Sequence, residues 1–213
     1  MIINSKEIEN TNVDFIEQQY GKLGNFSSDG EIFRLLYYFS SVLKDKLIIN
    51  AGTDIGISAL CLGKNGNNAV ISYDIFPKNI IYGRKYKNII FKTLDINKEE
   101  DEILNATNFI YLDIDPHDGI QESYFINKLN KINYKGLVLC DNIFLNKEMK
   151  FFWENIEEKK FDLTNIGHNT GTGLISFGKN IEIIEVKKEI KEKTDFNIIE
   201  NENFDPRIIN EIK

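Results

Sequence analysis

The chain is poor in several residue types that define common functional classes. It has only two cysteines in 213 residues, and both Cys61 and Cys140 sit in apolar runs, so they are expected as buried, reduced thiols rather than a disulfide. No stretch reaches the roughly 18 consecutive apolar residues of a membrane span, and the opening MIINSKEIEN lacks the basic and apolar regions of a signal peptide. No membrane partner is therefore expected, and the expected compartment is the cytoplasm. Positive charge is also short. Lys and Arg number 26 against 33 Asp and Glu, a net charge of −7, and the lysines are scattered among glutamates instead of forming a stripe. That balance repels a phosphate backbone and argues against nucleic acid as a partner. No internal repeat is visible.

What the chain does have is a core. At 42% hydrophobic composition, its length suffices for one domain and is short for two. SSDGEIFRLLYYFSSVL begins with a capping-box pattern, Ser28 to Glu31, then spaces Ile32, Leu35, Leu36, Phe39, Val42 and Leu43 as one face of a helix. After it, apolar runs ended by turn residues recur: KLIINAG, NAVISYDI, NIIFKTLDI, NFIYLDID and GLVLCDN. Between and after them stand helical segments such as IGISALCLG, KEEDEIL, GIQESYFINKLNKI and one carrying Met149, Phe152, Trp153 and Ile156. Continuous apolar strands alternating with helices in the order βαβαβαβαβα predict a parallel sheet covered on both faces, with right-handed crossovers. FDLTNIGHNTGTGLISFG then places two strand-like runs, about 161–166 and 173–177, around a loop too short for a crossover helix, so they should pair antiparallel. The expected class is thus α/β, Rossmann-like and doubly wound, with a mostly parallel seven-stranded sheet and a C-terminal antiparallel hairpin.

The expected divisions are an N-terminal helical or lid segment over residues 1–27, the main domain over 28–178 and a charged extension over 179–213. Val13, Ile16 and Tyr20 permit a helix in the first segment; the extension has ambiguous periodicity, open to a helix, a strand or a tail.

Ligands of open α/β sheets bind outside the carboxyl ends of the strands. The first βα loop there, NAGTDIGIS, carries Gly52 and Gly56, which let a ligand approach the backbone and leave helix N-terminal N–H groups free. The second strand ends at Asp74, where an acidic side chain commonly accepts hydrogen bonds from ribose hydroxyls. Together they suggest an adenosine-containing cofactor.

LIINAGTDIGISAL followed by ISYDI, then FIYLDID, YKGLVLCDN and the hairpin with GTGLISF resemble a class I S-adenosylmethionine-dependent methyltransferase, most nearly the divalent-metal-dependent O-methyltransferases of the catechol and macrocin (sugar hydroxyl) types. The resemblance covers about residues 28–178. It implies S-adenosyl-L-methionine as cofactor, with Asn50, Gly52, Thr53, Gly56, Ser58, Asp74 and Asp95 around it. Asn50 is a departure, because the family's glycine motif opens with an acidic residue. Asp113, at the end of one strand, and Asp141-Asn142, at the end of another, converge if those strands are neighbours; two carboxylates and an amide oxygen are hard ligands suited to Mg²⁺. The resemblance assigns the divalent metal to these three residues. It also implies a small hydroxylated acceptor, a sugar or nucleotide sugar among the examples, and leaves a homo-oligomer open.

Methyl transfer to oxygen needs a proton acceptor. Pro116 and His117 stand where the family often has a lysine, and His168 lies in the loop GHNTGTG on the same carboxyl edge, so His117 and His168 join Asp113 as catalytic candidates. Asp115 is open to ligation or to orienting His117, and Asp118 to capping the next helix. Two other classes compete. Asp113-Ile114-Asp115 also fits the D-x-D grip of metal-dependent glycosyltransferases, and a non-catalytic cofactor-binding module would keep the fold. A calcium loop fits poorly, since glycine falls one place late at Gly119 and Tyr124 stands where a closing glutamate is needed.

Overall fold

The computed structural model describes residues 2–16, 26–65, 67–179 and 181–184. Strands β2 (Leu47–Ala51), β3 (Ala69–Asp74), β4 (Ile89–Thr93), β5 (Phe109–Leu112), β6 (Leu137–Asp141), β7 (Lys159–Asp162) and β8 (Thr172–Ser176) form one sheet in the order β4-β3-β2-β5-β6-β8-β7. All pairs are parallel except those of β8, which runs antiparallel to both β6 and β7. Seven mostly parallel strands with a final antiparallel hairpin match the sequence expectation.

The central strands β2, β5 and β6 are largely apolar because both of their faces are covered, whereas the edge strands β4 and β7 carry lysines and exposed positions. Ile48, Phe109, Leu137 and Leu139 join one core with Leu35, Leu36 and Phe39 of helix α2 (Phe26–Val42) and Leu60 of α3 (Ile57–Gly63). Their chain neighbours Ile49, Ile110, Val138 and Cys140 face the other way. They meet Phe125 and Leu129 of α5 (Ile120–Lys131) and Phe152 and Trp153 of α6 (Lys147–Glu154). Alternation of side chains along each strand therefore feeds two cores from one continuous apolar run. Cys61 and Cys140 are buried free thiols.

Three local expectations are corrected. Helix α2 begins at Phe26, ahead of the Ser28 capping box, and Val42, though at helical spacing, is 41% exposed. No helix crosses between β3 and β4; residues 75–88 make that connection as an irregular loop. The run expected as a strand over 161–166 ends its pairing at Asp162 and tightens into a 3₁₀ turn at Thr164–Ile166, where Asp162 Oδ1 accepts from Thr164 N at 2.9 Å and recruits the backbone away from the ladder.

At the start of the chain, β1 (Ile2–Asn4) pairs in parallel with β9 (Glu182–Ile184), a two-stranded sheet apart from the main one, and α1 (Ser5–Glu9) follows. Val13 and Ile16 are buried in the α2-side core. Tyr20 lies outside the described residues, as does most of the extension.

Phe39 anchors this packing: it is fully buried and its ring lies 4.7 Å from that of Phe109. Phe39→Ala is expected to cost about 3–5 kcal/mol through lost transfer energy and an unfilled cavity; urea unfolding should show a lowered midpoint with the slope unchanged.

Candidate functional site

The pairing of Leu112 with Cys140 sets Asp113 and Asp141 side by side at the carboxyl ends of β5 and β6. Tyr111, two residues before Asp113 and hence on the same side of the strand, places its hydroxyl 3.0 Å from Asp141 Oδ2 and 3.3 Å from Asp113 Oδ2. One phenolic proton serves only one carboxylate at a time. The pair is therefore left with excess negative charge. Asp141 is 5% exposed, and its buried Oδ1 accepts no hydrogen bond, with His168 Nδ1 3.4 Å away.

Both histidines reach this pair. His117 Nε2 lies 3.7 Å from Asp113 Oδ1 and 3.8 Å from Asp115 Oδ1, and His117 Nδ1 lies 3.8 Å from Glu122 Oε1. The ring is held from its backbone: His117 has φ 56°, its N–H donates to Ile114 O, and its carbonyl accepts from Asn146 Nδ2 at 2.9 Å. Between the histidines stand Asn142 and Thr170. Asn142 Nδ2 is 3.2 Å from His117 Nε2, Asn142 Oδ1 accepts from Thr170 Oγ1, and Thr170 Oγ1 is 2.9 Å from His168 Nδ1.

The expected cofactor residues gather at the neighbouring strand ends. Gly52 has φ +100°, and a Cβ there would fall on the carbonyl oxygen of Asp113, so only glycine lets the β2 loop cross the end of β5. Gly56, at φ +96°, starts α3. Asp74 at the end of β3 accepts from the N–H groups of Thr53 and Asp54 at 3.3 Å and of Phe76 at 3.2 Å. Thr53 Oγ1 pairs with Ser72 Oγ at 2.7 Å, and Ser58 is buried in α3. Asn50 is wholly buried within β2, its amide nitrogen donating to Gly52 O and Ser72 Oγ and its Oδ1 unpartnered. Asp95 caps the 3₁₀ turn Ile96–Lys98 through Asn97 N at 2.9 Å. Asp118 Oδ1 caps α5 through Ile120 N and Gln121 N, while Asp115 is turned outward with an 86% exposed side chain.

No protein-family model matches the sequence, and no curated protein matches it. Solved structures do. The SAH-bound methyltransferase PaMTH1 of Podospora anserina aligns with a TM-score of 0.55 at 12% identity, covering 82% of this chain and 86% of its own. A proposed caffeoyl-CoA O-methyltransferase from Staphylococcus aureus also gives 0.55, at 15% identity, covering 82% of this chain and 99% of its own. The chain has the class I methyltransferase fold. At these identities the likeness is one of architecture.

Within a methyltransferase fold, two fits bear on what the site could hold. An ionised carboxylate offers about four lone-pair positions; three backbone donors occupy Asp74, which leaves one on Oδ1 for a ribose hydroxyl. The under-compensated pair Asp113 and Asp141, with the unpartnered Asp141 Oδ1, fits a hard cation. Among the described residues no group of three or more His, Cys, Asp or Glu side chains is arranged to hold a metal ion. The expected ligand set contains two such residues, and Asn142 would have to supply the third donor.

Tyr111, Thr170 and Glu122 were not singled out from the sequence. Tyr111 was legible in principle, since strand alternation puts it on the side of Asp113. Glu122 and Thr170 carried no signal beyond a helix and a polar loop.

Burial, and secondly the charge of Asp141, raise the Asp113 carboxyl to about 7, although its side chain is 32% exposed and solvent moderates the effect. Burial works against a charged His117, but Glu122, Asp113 and Asp115 outweigh it and raise its pKa. A carboxyl raised on folding stabilises the protein below the usual carboxyl pKa of about 4 and loses that contribution as pH rises through the folded value. The metal-free protein should accordingly lose thermal stability as pH rises through about 7. Asp113→Asn should flatten that profile in thermal unfolding read across pH, and an unchanged slope would contradict the assignment.

Proposed function

We propose that the chain is an S-adenosylmethionine-dependent O-methyltransferase that acts, with a divalent cation, on a hydroxyl of a small acceptor such as a sugar or nucleotide sugar. The observation that carries this reading is the acidic pair Asp113 and Asp141, flanked by two imidazoles, directly beneath the Gly52 loop of a methyltransferase fold.

When bound, the cofactor would supply a methyl group on a sulfonium, and Asp113, Asp141 and Asn142 would hold a cation whose charge would acidify and orient the acceptor oxygen. The remaining work falls to side chains. Gly52 and Gly56 keep the β2 loop free of Cβ atoms where the backbone turns toward the crevice, and Asp74 accepts from the ribose. Ile75 and Phe76, 54% and 64% exposed immediately after Asp74, offer apolar surface on which a purine ring is shielded from water. His117 takes the acceptor's proton at Nε2, the nitrogen facing Asp113 and Asn142, a step that contributes about 10²- to 10⁴-fold to rate. His168 holds the opposite side of the crevice at Asp141. The D-x-D glycosyltransferase reading gains no support from Asp115, whose side chain is 86% exposed to water.

Calorimetry with S-adenosylmethionine, a UDP-sugar and NAD, each with and without Mg²⁺, tests the class. Binding of S-adenosylmethionine is expected; selective UDP-sugar binding without it would overturn the reading. Asp141→Ala should retain the cofactor yet lose about 100-fold or more in kcat, the scale of several kcal/mol of charge stabilisation. Turnover unaffected by a chelator would remove the metal from the proposal.

A further inference from the structure

The turn that carries Asp95 is gripped from two sides. Thr93 of β4 pairs with Asp74, and Leu94 N donates to Asp74 O at 2.9 Å, so Asp74 and Asp95 close adjoining strands at the same edge of the sheet. Asp95 Oδ1 caps the 3₁₀ turn Ile96–Lys98 through Asn97 N. So short a turn cannot satisfy its own last carbonyls.

Lys128 of α5 supplies what the turn lacks. Its ammonium donates to Asn97 O at 3.1 Å and to Glu99 O, and lies 3.5 Å from Asp101 Oδ1. Three acceptors meet the three protons of the ammonium. From the other side Lys92 of β4 donates to Glu99 Oε2 at 2.8 Å, and Glu99 is 4% exposed. Both lysines act on the segment after Asp95 and leave its carboxylate to other partners. Of the roughly four lone-pair positions on that carboxylate, Asn97 N takes one. Lys98 Nζ lies 4.0 Å from Oδ2 on a 75% exposed side chain, a pairing too loose to hold it.

We propose that Lys128 is a positioning residue for the cofactor. By holding the Asn97 and Glu99 carbonyls it fixes the turn that Asp95 caps, and so presents the remaining acceptor positions of Asp95 to the exocyclic amine of adenine. The inference rests on the S-adenosylmethionine reading. An acceptor fixed before the ligand arrives need not be ordered on binding. A carboxylate there also selects the base, because hypoxanthine carries an oxygen where adenine carries the amine, and acceptor would face acceptor. Adenine takes no part in methyl transfer, so the contact is equal in ground and transition states and its loss is a loss of binding alone.

Calorimetry of the full chain with S-adenosylhomocysteine tests this through a double-mutant cycle. Lys128→Met, which keeps the aliphatic stem, should weaken binding about tenfold, the scale of one hydrogen bond to a charged group. Asp95→Ala should weaken it by a similar factor. Added to Asp95→Ala, Lys128→Met should cost nothing further, whereas a role in general packing would give losses that add. Lys128→Arg, which still donates, should restore binding; Lys128→Gln carries the expectation of the methionine variant should that one not fold. Preference for S-adenosylhomocysteine over its inosine analogue should fall in Lys128→Met. In turnover the KM for S-adenosylmethionine should rise about tenfold with kcat unchanged. In the ligand-free chain, Lys128→Met should speed hydrogen exchange at the Asn97 amide and leave the amides of β2 and β5 as they were. Binding indifferent to Lys128→Met, or losses that add, would overturn this proposal alone. A wild-type chain that binds no S-adenosylhomocysteine would overturn the functional reading and this one with it.

Discussion

Two parallel strands ending level with each other impose the constraint from which the crevice follows. Because Leu112 lies opposite Cys140, the residues beyond them, Asp113 and Asp141, are forced together whatever their charge. Like charges at such a distance in a medium of reduced dielectric repel by amounts that water would have screened. The surroundings of the pair are responses to that repulsion. Tyr111 lends one proton between two carboxylates, His117 and His168 approach from either side, and the Asp113 carboxyl is held toward its neutral form. Each lowers the cost of the charge, and protonation of Asp113 removes part of it.

The same sheet separates stability from chemistry. Its two cores are built from alternating side chains of β2, β5 and β6 against α2 and α3 on one face and α5 and α6 on the other. The polar groups of the crevice sit beyond the last core layer, on strand ends and the loops that leave them. Where the separation fails it does so visibly: Gly52 is pressed onto the Asp113 carbonyl, and Asn50 is locked inside β2 with an unpartnered oxygen. Asn50 stands one step back from the surface, bonded to Gly52 O and Ser72 Oγ, which braces the loop from within.

Sequence made the sheet legible because burial on both faces writes each central strand as a nearly unbroken apolar run, and the hairpin legible because its loop is too short to cross over. It could not show that residues 75–88 cross without a helix, since helix formation there depends on what the loop packs against. Nor could it show that the pairing of β7 stops at Asp162, where a side chain competes for the backbone. At the site, strand ends were readable: Asp74, Asp113 and Asp141 each close an apolar run. The convergence of His117 and His168 was readable from which edge their loops leave. Glu122 was not. Its sequence signal is that of an ordinary acidic residue in the first turn of a helix, favourable to the helix dipole, and only its burial beneath His117 distinguishes it. Thr170 was hidden for a similar reason, being one hydroxyl in a loop of polar residues.

Charge compensation matters more for the proposed reaction than for mere binding. In methyl transfer from a sulfonium to an oxygen, positive charge on the donor and negative charge on the acceptor both diminish on the way to products. A crevice with strong uncompensated negative charge would hold the charged donor tightly in the ground state and resist that loss, since only interactions stronger in the transition state accelerate the step. Asp113, Asp141, Glu122 and Asp115 surround two imidazoles, an excess that a divalent cation on the first two would offset. Glu122 stands apart from that pair, buried beside His117 Nδ1. The number of carboxylates is less informative than their division: Asp113 and Asp141 side by side at the strand ends, Glu122 buried beside His117, and Asp115 turned to water.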